Sequence, residues 1–424
     1  MKDSENKFKI LIFLRGFFSK AFEAFISFLE KYWVWIIPLV LLVLSVLVRI
    51  PFYPVRTSDY NVFLSSWYEE ARKLGGKEYL ASGIGDYGPM YNYFLVIFAS
   101  FGIEAGESNG LLFALKITSD IFVYLSAFLV FFLSKFILKK SDEITVFAFA
   151  FSLFTPTILL NSPYWGQCDA IYAFFCLLSL TFLLLKKPYL SAVFFGLSFA
   201  FKLQSVFFAP VFLILWLRKG FKLHALLLSV VVYFLSLVPS LACGRSLSSC
   251  LGVYFEQTKE YGYLSANAPN IYIFVQKAFA GGETVEKAIV PGATIIGLTF
   301  IGLASFFAYR VNKDFDVQST ARVALLMAAL CPFVLPKMHE RYFYLADIIA
   351  VVFFIANPKK FYIPILIWLG SFSGYVTFLF KNDYFGDSNV NLMIGALFIL
   401  AAIVLLWVDM LKNNSSPKET ENRV

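Results

Sequence analysis

The chain has 424 residues, of which 59% are hydrophobic and 15% are charged, and its formal net charge is +8. Soluble domains are about 45–50% apolar and about 25% charged, so this composition excludes an ordinary soluble enzyme, a disordered chain and a nucleic-acid-binding module. The basic residues stand in short clusters between apolar runs, the pattern that orients a multi-span membrane protein. The sequence therefore predicts an all-α polytopic membrane protein.

The first 31 residues differ from the apolar run that follows them. Leu11, Leu14 and Phe18 recur at helical spacing, while Arg15 and Lys20 occupy the opposite face. This pattern predicts an amphipathic helix over residues 1–31 that lies on the cytoplasmic surface of the membrane. Packing of this helix on a partner is the alternative. No cleavable signal peptide is expected, because the apolar run is too long and lacks a cleavage site.

Twelve apolar runs are candidates for membrane-spanning helices, which need about 20 residues each at full length. They cover residues 32–51, 111–138, 144–161, 168–186, 189–202, 204–217, 222–242, 288–309, 320–336, 341–356, 361–379 and 390–411. Together they predict one bundle of about 12 transmembrane helices over residues 32–411, followed by a disordered cytoplasmic tail over residues 412–424.

Charge orients this bundle. If the amino terminus is cytoplasmic, the clusters around Lys139, Lys186, Arg218, Arg310 and Lys359 all fall on the cytoplasmic side, as the positive-inside rule requires. Large outer loops then cover residues 52–110 and 243–287. The apolar run 91–101 is too short to span, so short interfacial helices are expected in the first outer loop. The predicted location is the cell membrane, with both termini in the cytoplasm.

The five cysteines are too few for a disulfide framework. Cys243 and Cys250 fall in the second outer loop, and a bridge between them is left open for an oxidising compartment. Cys168, Cys176 and Cys331 have the sequence context of small buried hydrophobic residues. No metal-ligand spacing is evident.

Unusual polar and aromatic residues gather in the segments predicted to face outward. They are Asp59, Asp86, Tyr87, Trp165, Gln167, Asp169, Lys202, Gln204, Asn267, Asn270, His339, Glu340 and Arg341. Such residues in a membrane protein are candidates for function because burying them is unfavourable. Their shared side of the membrane, more than any one of them, indicates a site.

The residue types suggest a chemistry for this site. A carboxylate such as Asp59 can take a proton from an attacking hydroxyl. His339 and Arg341 are expected to form a cationic pair that could bind a phosphate and stabilise it as a leaving group, with Lys202 adding a charge. Aromatic residues suited to stacking on sugar rings are Trp67, Tyr87, Trp165, Tyr261 and Tyr263. The combination predicts transfer from a lipid phosphate.

Each candidate also has a structural alternative. Asp59 could cap a helix, Asp86 could belong to a turn, and residues 339–341 could form a self-paired polar turn. The remaining alternatives are caps at Gln167 and Asp169, a turn shaped by Asn267 and Asn270, and a buried ion pair between Lys116 and Asp120, which are spaced i,i+4 in a predicted span.

Six segments in order resemble a known family. They are Asp59-Tyr60 with Trp67, then residues 85–91, 165–169, 202–204, 267–270 and 338–344. The ordered set resembles bacterial integral-membrane glycosyltransferases of the GT-C superfamily over about residues 32–410. It is most similar to the group related to the second mannosyltransferase of GPI-anchor synthesis. It is more distantly similar to the dolichyl-phosphate-glucose-dependent glucosyltransferases of N-glycan assembly.

This resemblance implies an inverting hexosyltransferase. The donor would be a polyprenyl-phosphate sugar, and the acceptor a cell-envelope glycan or lipid-linked molecule on the non-cytoplasmic face. Asp59 would be the base, His339 and Arg341 would hold the donor phosphate, and Asp86, Gln167 and Asp169 would shape the pocket.

The chain departs from relatives that carry two acidic residues in the first loop, because Tyr60 and Asn61 follow Asp59. This departure weakens the case for a metal bound by that loop, and a divalent cation stays an open alternative. Two rival functions also stay open: a transporter or flippase of lipid-linked sugars or small solutes, which would usually show inverted repeats, and a non-catalytic assembly subunit.

Overall fold

The predicted spans are α-helices in the computed structural model, which describes residues 2–106, 108–260, 263–276, 282–312, 314–381 and 388–415. The helices in these ranges are α1 (Lys2–Arg49), α2 (Ser65–Leu74), α3 (Gly76–Ser82), α4 (Pro89–Ser100), α5 (Gly110–Phe132), α6 (Asp142–Phe154), α7 (Pro156–Leu159), α8 (Asp169–Leu184), α9 (Pro188–Phe201), α10 (Ala209–Leu217), α11 (Leu226–Ala242), α12 (Leu247–Glu260), α13 (Ile273–Gln276), α14 (Gly282–Val311), α15 (Val317–Val334), α16 (Tyr344–Ala356), α17 (Tyr362–Phe380) and α18 (Ser388–Ser415). Two short strands, β1 (Ser265–Ala266) and β2 (Met338–His339), pair with each other in parallel. The prediction of an all-α polytopic membrane protein is confirmed.

The lengths of the spans correct the predicted count. In the described ranges, eight helical segments are long and apolar enough to cross a membrane: Phe22–Phe52, Gly110–Ile137, Asp142–Trp165, Leu223–Ala242, Lys287–Val311, Val317–Val334, Tyr362–Phe380 and Asn389–Lys412. The other four predicted runs are the shorter apolar helices Asp169–Leu184, Pro188–Phe201, Leu203–Leu217 and Tyr344–Ala356. A helix of 16 residues such as α8 is about 24 Å long, less than the roughly 30 Å of a bilayer core.

Helix α1 runs without interruption through the boundary predicted at residues 31 and 32. It contains 48 residues, and its candidate membrane-spanning part begins at Phe22. Residues 2–31 are therefore continuous with the helix that follows them. Half of the predicted apolar face, Leu11, Leu14 and Phe18, has side chains outside the described part of the chain. The other half is Phe22, Phe25 and Leu29, and the surface location of this segment stays a prediction.

The two predicted outer loops contain short helices. Helices α2, α3 and α4 occupy residues 65–100 of the first loop, and α12, β1 and α13 occupy much of the second. At the carboxyl end, α18 continues to Ser415 into the predicted tail, while residues 416–424 lie outside the described residues.

A buried charge cluster joins α1 to the bundle. Arg49 Nε donates to Asp120 Oδ1 over 3.2 Å, and the two side chains are 0% and 2% exposed. Asp120 also accepts hydrogen bonds from the hydroxyls of Tyr53 and Ser162, each at 2.8 Å. The carboxylate is thus compensated by one cation and two hydroxyl donors.

The predicted ion pair between Lys116 and Asp120 is wrong. Lys116 Nζ instead donates to the carbonyl oxygens of Phe52 and Val55 at 2.8 and 2.6 Å. Phe52 and Val55 lie in the segment that follows α1. Lys116 therefore holds this segment against α5, and Arg49 takes the place expected for Lys116.

The basic loops meet one another. Arg218 donates to the carbonyl oxygens of Tyr309 and Arg310 at 2.9 and 3.2 Å. Arg322 donates to Asp409 Oδ2 at 2.6 Å, and Lys360 also contacts that carboxylate. Helices such as α8 and α16 run from the predicted polar segments to these loops, so the two sets lie at opposite ends of the bundle.

All five cysteines are free thiols, and the disulfide left open between Cys243 and Cys250 is not formed. The Cys250 side chain packs instead among apolar residues that include Tyr233 and Leu237. Cys168, Cys176 and Cys331 are buried, as predicted.

Replacing Arg49, the cation of the buried cluster, tests how much this cluster contributes to the stability of the protein. We expect Arg49→Met to destabilise the protein by about 3–5 kcal/mol, because Asp120 stays buried without a counter-charge. Thermal unfolding of the detergent-solubilised protein measures the effect. Arg72→Met is the matched control, since its ion pair with Glu69 is about 40% exposed and such pairs contribute at most about 1 kcal/mol. Equal losses in the two variants would contradict this account.

Candidate functional site

A cavity of about 980 Å³ brings most of the predicted polar residues together. Its lining includes Asp59, Asp86, Tyr87, Lys202, Gln204, Asn267, His339, Glu340 and Arg341. The other predicted site residues, Trp165, Gln167, Asp169 and Asn270, lie outside this lining. The convergence expected between position 59 and positions 339–341 is therefore present in the structure.

Asp59 begins a π-helical turn, Tyr60–Leu64, that precedes α2. Its carboxylate makes no capping hydrogen bond to this turn, so the cap alternative is wrong. Asp59 Oδ2 instead accepts a hydrogen bond from Gln167 Nε2 at 2.7 Å. The hydrogen bond from Gln167 holds the side chain of Asp59, which also lines the cavity.

Gln167 lies between Asp59 and Tyr87. Its Oε1 accepts from the Tyr87 hydroxyl at 3.1 Å, and its side chain does not line the cavity. Tyr87 does line it, with its ring edge-on to Trp67 at 5.5 Å between centroids. Burial raises the pKa of Tyr87 well above its usual value, so its hydroxyl remains a donor.

Asp169 is the centre of a buried charge cluster. Its Oδ1 accepts from Lys202 Nζ at 2.6 Å and its Oδ2 accepts from Asn161 Nδ2 at 2.9 Å. Arg341 Nε lies 3.7 Å from Oδ2. Asp169 thus ties the start of α8 to the residue that follows α9 and to the loop before α16. Asp169 was predicted to line the pocket. In the structure it lies behind Lys202 and Arg341, the two cations that line the cavity.

Residues 339–341 belong to a short, firmly held segment. Strand β2 pairs with β1, and the Glu340 backbone N–H donates to the Ala266 carbonyl at 3.1 Å. Arg341 Nη1 donates to Glu340 Oε1 at 2.9 Å. The expected self-paired turn is present in this pair, yet both side chains also line the cavity.

Two contacts fix the position of residues 339–341 against Trp165 and helix α17. The Arg341 guanidinium lies over the Trp165 ring at 5.2 Å from the centroid, and Trp165 stacks on Phe378 of α17 at 4.7 Å. A Cβ at Gly374 would lie 3.0 Å from the Glu340 carbonyl oxygen and 3.1 Å from that of Asn267. Helix α17 therefore packs backbone to backbone against both loops.

Burial changes the charge expected at residues 339 and 340. Burial, with Arg341 and Lys202 adding to it, lowers the pKa of His339 to about 3. Burial raises the pKa of Glu340 to about 7, despite the opposing effect of Arg341. The expected cationic pair of His339 and Arg341 is thus one cation and one neutral imidazole.

The remaining predicted residues divide between the lining and its support. Asn267 has a positive φ of 59° and bridges to His339, so it both shapes a turn and lines the cavity. Asn270 Oδ1 accepts from the Tyr272 N–H at 3.1 Å, and its amide donates to the Leu335 carbonyl, which agrees with the turn alternative.

Gln204 lines the cavity beside Tyr342. Burial raises the pKa of Asp86, whose carbonyl accepts from Gln257.

Several contributors were not predicted. Asn161 contacts Asp169 and the hydroxyl of Tyr375, and its amide inside an apolar run was an available signal. The apolar wall contains Val290, Thr294 and Leu298 of α14, with Val206. No sequence signal separates such residues from lipid-facing ones. Of the five aromatic residues expected to stack on sugars, Trp67, Tyr87 and Tyr263 line the cavity and Trp165 does not, while Tyr261 lies outside the described residues.

Metal ligands do not converge in the part of the chain that the structure describes. Within it, no group of three or more His, Cys, Asp or Glu side chains is placed to hold an ion. The contacts of Asp59 and Asp169 are instead with amide nitrogens and cationic groups.

The pKa of Glu340 predicts a pH-dependent stability. The folded state keeps this proton up to about pH 7, whereas the unfolded chain releases it near the ordinary glutamate pKa of 4.5, so stability falls as pH rises between these values. We expect Glu340→Gln to lack this decline, which is of order 3 kcal/mol. Thermal unfolding between pH 4.5 and 8 measures it. The exposed Glu78→Gln variant should keep the wild-type slope, and an unchanged slope in Glu340→Gln would contradict the assignment.

Comparison with known proteins identifies the family of this chain. The family model described as glycosyltransferase family 87 matches residues 87–337, which is more than half of the chain. No curated protein matches the chain significantly. The matched region contains Tyr87, Asp169 and Lys202, whereas Asp59 precedes it and Arg341 follows it. The placement of those two residues in one site therefore depends on the geometry.

Proposed function

This chain belongs to glycosyltransferase family 87, and we propose that it is an inverting enzyme that moves a hexose from a polyprenyl-phosphate sugar to a cell-envelope glycan or lipid-linked acceptor. The observation that carries the proposal is that Asp59 and Arg341 line the same cavity. A single displacement requires one base and one stabilised leaving group. This cavity offers a carboxylate for the first and a cation for the second.

Asp59 is the proposed base. It is half-buried, lines the cavity, and receives its hydrogen bond from Gln167 on Oδ2. In the proposed reaction, the acceptor hydroxyl gives its proton to Asp59 as its oxygen attacks the anomeric carbon. The bond from that carbon to the phosphate oxygen breaks, and the electron pair leaves with the phosphate.

The proposed phosphate site consists of Arg341, Lys202 and His339. Arg341 and Lys202 are paired with Asp169 and Glu340, so the cluster is neutral when Glu340 is ionised and has a charge of +1 when Glu340 is protonated. The protonated form matches the single negative charge of a sugar phosphodiester. Neutral His339 would contribute a hydrogen bond rather than a charge.

The apolar wall supports a lipid-linked donor. Leu298 and Val206 line the cavity, and they are 57% and 42% exposed. The cavity is therefore open at an apolar wall, next to the exposed α14 residues Ile295 and Ile296. A prenyl chain could lie along this wall while its phosphate reaches Arg341.

The proposed orientation follows from the basic loops. They lie at the end of the bundle opposite the cavity, and basic loops favour the cytoplasmic side. We therefore propose that both termini are cytoplasmic and that the site opens on the non-cytoplasmic face. The sequence resemblance to mannosyl- and glucosyltransferases supports mannose or glucose as the transferred hexose.

Asp59→Asn tests the base. We expect transfer to fall by about 10²–10⁴-fold, because an amide cannot accept the proton, while donor binding stays within a few-fold of wild type. The measurement is release of free polyprenyl phosphate from a panel of polyprenyl-phosphate hexoses. Asp142→Asn, at the start of α6 beside Lys135, is the matched control and should keep full activity. Near-normal turnover in Asp59→Asn would remove Asp59 from the mechanism, and continued movement of a lipid-linked sugar without transfer would favour the transporter alternative.

Arg341→Ala tests the phosphate site. We expect donor affinity to weaken by about 10–100-fold, because a charge-assisted hydrogen bond contributes about 1.5–3 kcal/mol. Equilibrium binding of a fluorescent polyprenyl-phosphate hexose in detergent measures this loss. Arg72→Ala, on the exposed face of α2, should bind as wild type does. An unchanged donor affinity in Arg341→Ala would contradict the proposed phosphate site.

A further inference from the structure

We propose that Gln167 is a positioning residue that orients the carboxylate of Asp59, and that the Tyr87 hydroxyl orients Gln167. This inference rests on the proposed function only in taking Asp59 as the base. It replaces the expected role of Gln167 as a pocket residue, since its side chain is absent from the cavity lining and the residue is 2% exposed.

The backbone of Gln167 is anchored on two sides. Its N–H donates to the Asn161 carbonyl at 3.0 Å, and its carbonyl accepts from the Ser119 hydroxyl of α5. The preceding Gly166 has a φ of 83°, a backbone conformation that glycine adopts without strain. These contacts place the side chain of Gln167 against Asp59 from a rigid part of the bundle.

The two hydrogen bonds of the amide determine its orientation. The Tyr87 hydroxyl donates to Oε1 at 3.1 Å, and Nε2 donates to Asp59 Oδ2 at 2.7 Å. The reversed amide would place its carbonyl oxygen against the carboxylate, where two acceptors face each other without a proton. The hydroxyl of Tyr87 therefore favours the one orientation in which Gln167 stabilises ionised Asp59.

The hydrogen bond from Gln167 has two effects on Asp59 as the proposed base. The amide occupies Oδ2, so Oδ1 of Asp59 is the oxygen that accepts the proton. A hydrogen bond to the charged form of a carboxyl group also favours that form, and the amide of Gln167 makes this hydrogen bond to Asp59. Loss of the amide should therefore shift the acid side of the pH–rate profile upward.

Other charged groups also act on this carboxylate. Arg341 and Glu340 interact with Asp59 electrostatically from the loop before α16. Tyr87 approaches from the segment before α4, and Lys202 lies 5.4 Å from the Tyr87 ring centroid. All four groups are retained in a Gln167 variant, so the change it produces reports the amide contact.

The experiment compares Gln167→Leu, Gln167→Glu and Tyr87→Phe in the full-length protein in detergent, using a polyprenyl-phosphate hexose as donor. We expect Gln167→Leu to lower kcat by at least tenfold and to move the acid limb of kcat/KM upward by about one pH unit. Gln167→Glu should move it further, because two carboxylates then share the site. Tyr87→Phe added to Gln167→Leu should cause little further change in the acid limb, because both act through one contact.

Tyr79→Phe is the matched control for Tyr87→Phe. Tyr79 is a buried tyrosine whose hydroxyl makes no hydrogen bond in the described residues, and its variant should keep the wild-type profile. A Gln167→Leu enzyme with wild-type kcat and an unmoved acid limb would overturn the proposal. So would a loss of rate with no change in the profile, since that outcome indicates only a structural role.

A second readout is independent of turnover. The infrared band of protonated Asp59, assigned by its loss in Asp59→Asn, should appear about one pH unit higher in Gln167→Leu than in wild type. An unmoved band overturns the inference even if no donor is accepted. Conversely, a shifted band with an active Asp59→Asn enzyme would retain the contact and reject Asp59 as the base.

Discussion

A charged side chain inside a membrane protein must be accompanied by an opposite charge or by hydrogen-bond partners, and the ion pair of Lys202 and Asp169 meets this constraint at the site. The two side chains are 6% and 0% exposed and approach to 2.6 Å. Asp169 also approaches Arg341 and accepts from Asn161. Removal of this carboxylate would leave two neighbouring cations without compensation. The position of both cations in the cavity wall therefore depends on a residue that does not line the cavity.

The helices could largely be predicted from the sequence, as could much of the polar part of the cavity lining. Apolar runs indicated the spans because hydrophobicity determines which segments enter a membrane. Polar residues are scarce in this chain, so Asp59, Lys202 and Arg341 stood out, and the topology brought them to one end. The four short helices kept their predicted positions, and their shortness leaves eight helices in the described ranges that are long enough to cross a membrane.

Pairing and charge state could not be predicted, because both depend on distances between segments remote in sequence. The i,i+4 spacing suggested that Lys116 would pair with Asp120, but Arg49 lies 71 residues away in sequence and takes that place. His339 was expected to be cationic, and burial beside Arg341 and Lys202 makes it neutral. The wall residue Leu298 was indistinguishable from lipid-facing residues because it is apolar and exposed, as they are, although it lines the cavity.

The exposed apolar wall at Leu298 has a consequence for how such a site would be supplied. A donor entering past α14 would arrive by two-dimensional diffusion within the bilayer, without first leaving it for water. Its effective concentration would then be its mole fraction among the surrounding lipids. At constant bulk donor, added detergent or lipid would dilute this surface concentration and slow the enzyme. Kinetic constants from micelles and from vesicles would agree only when expressed on that surface scale.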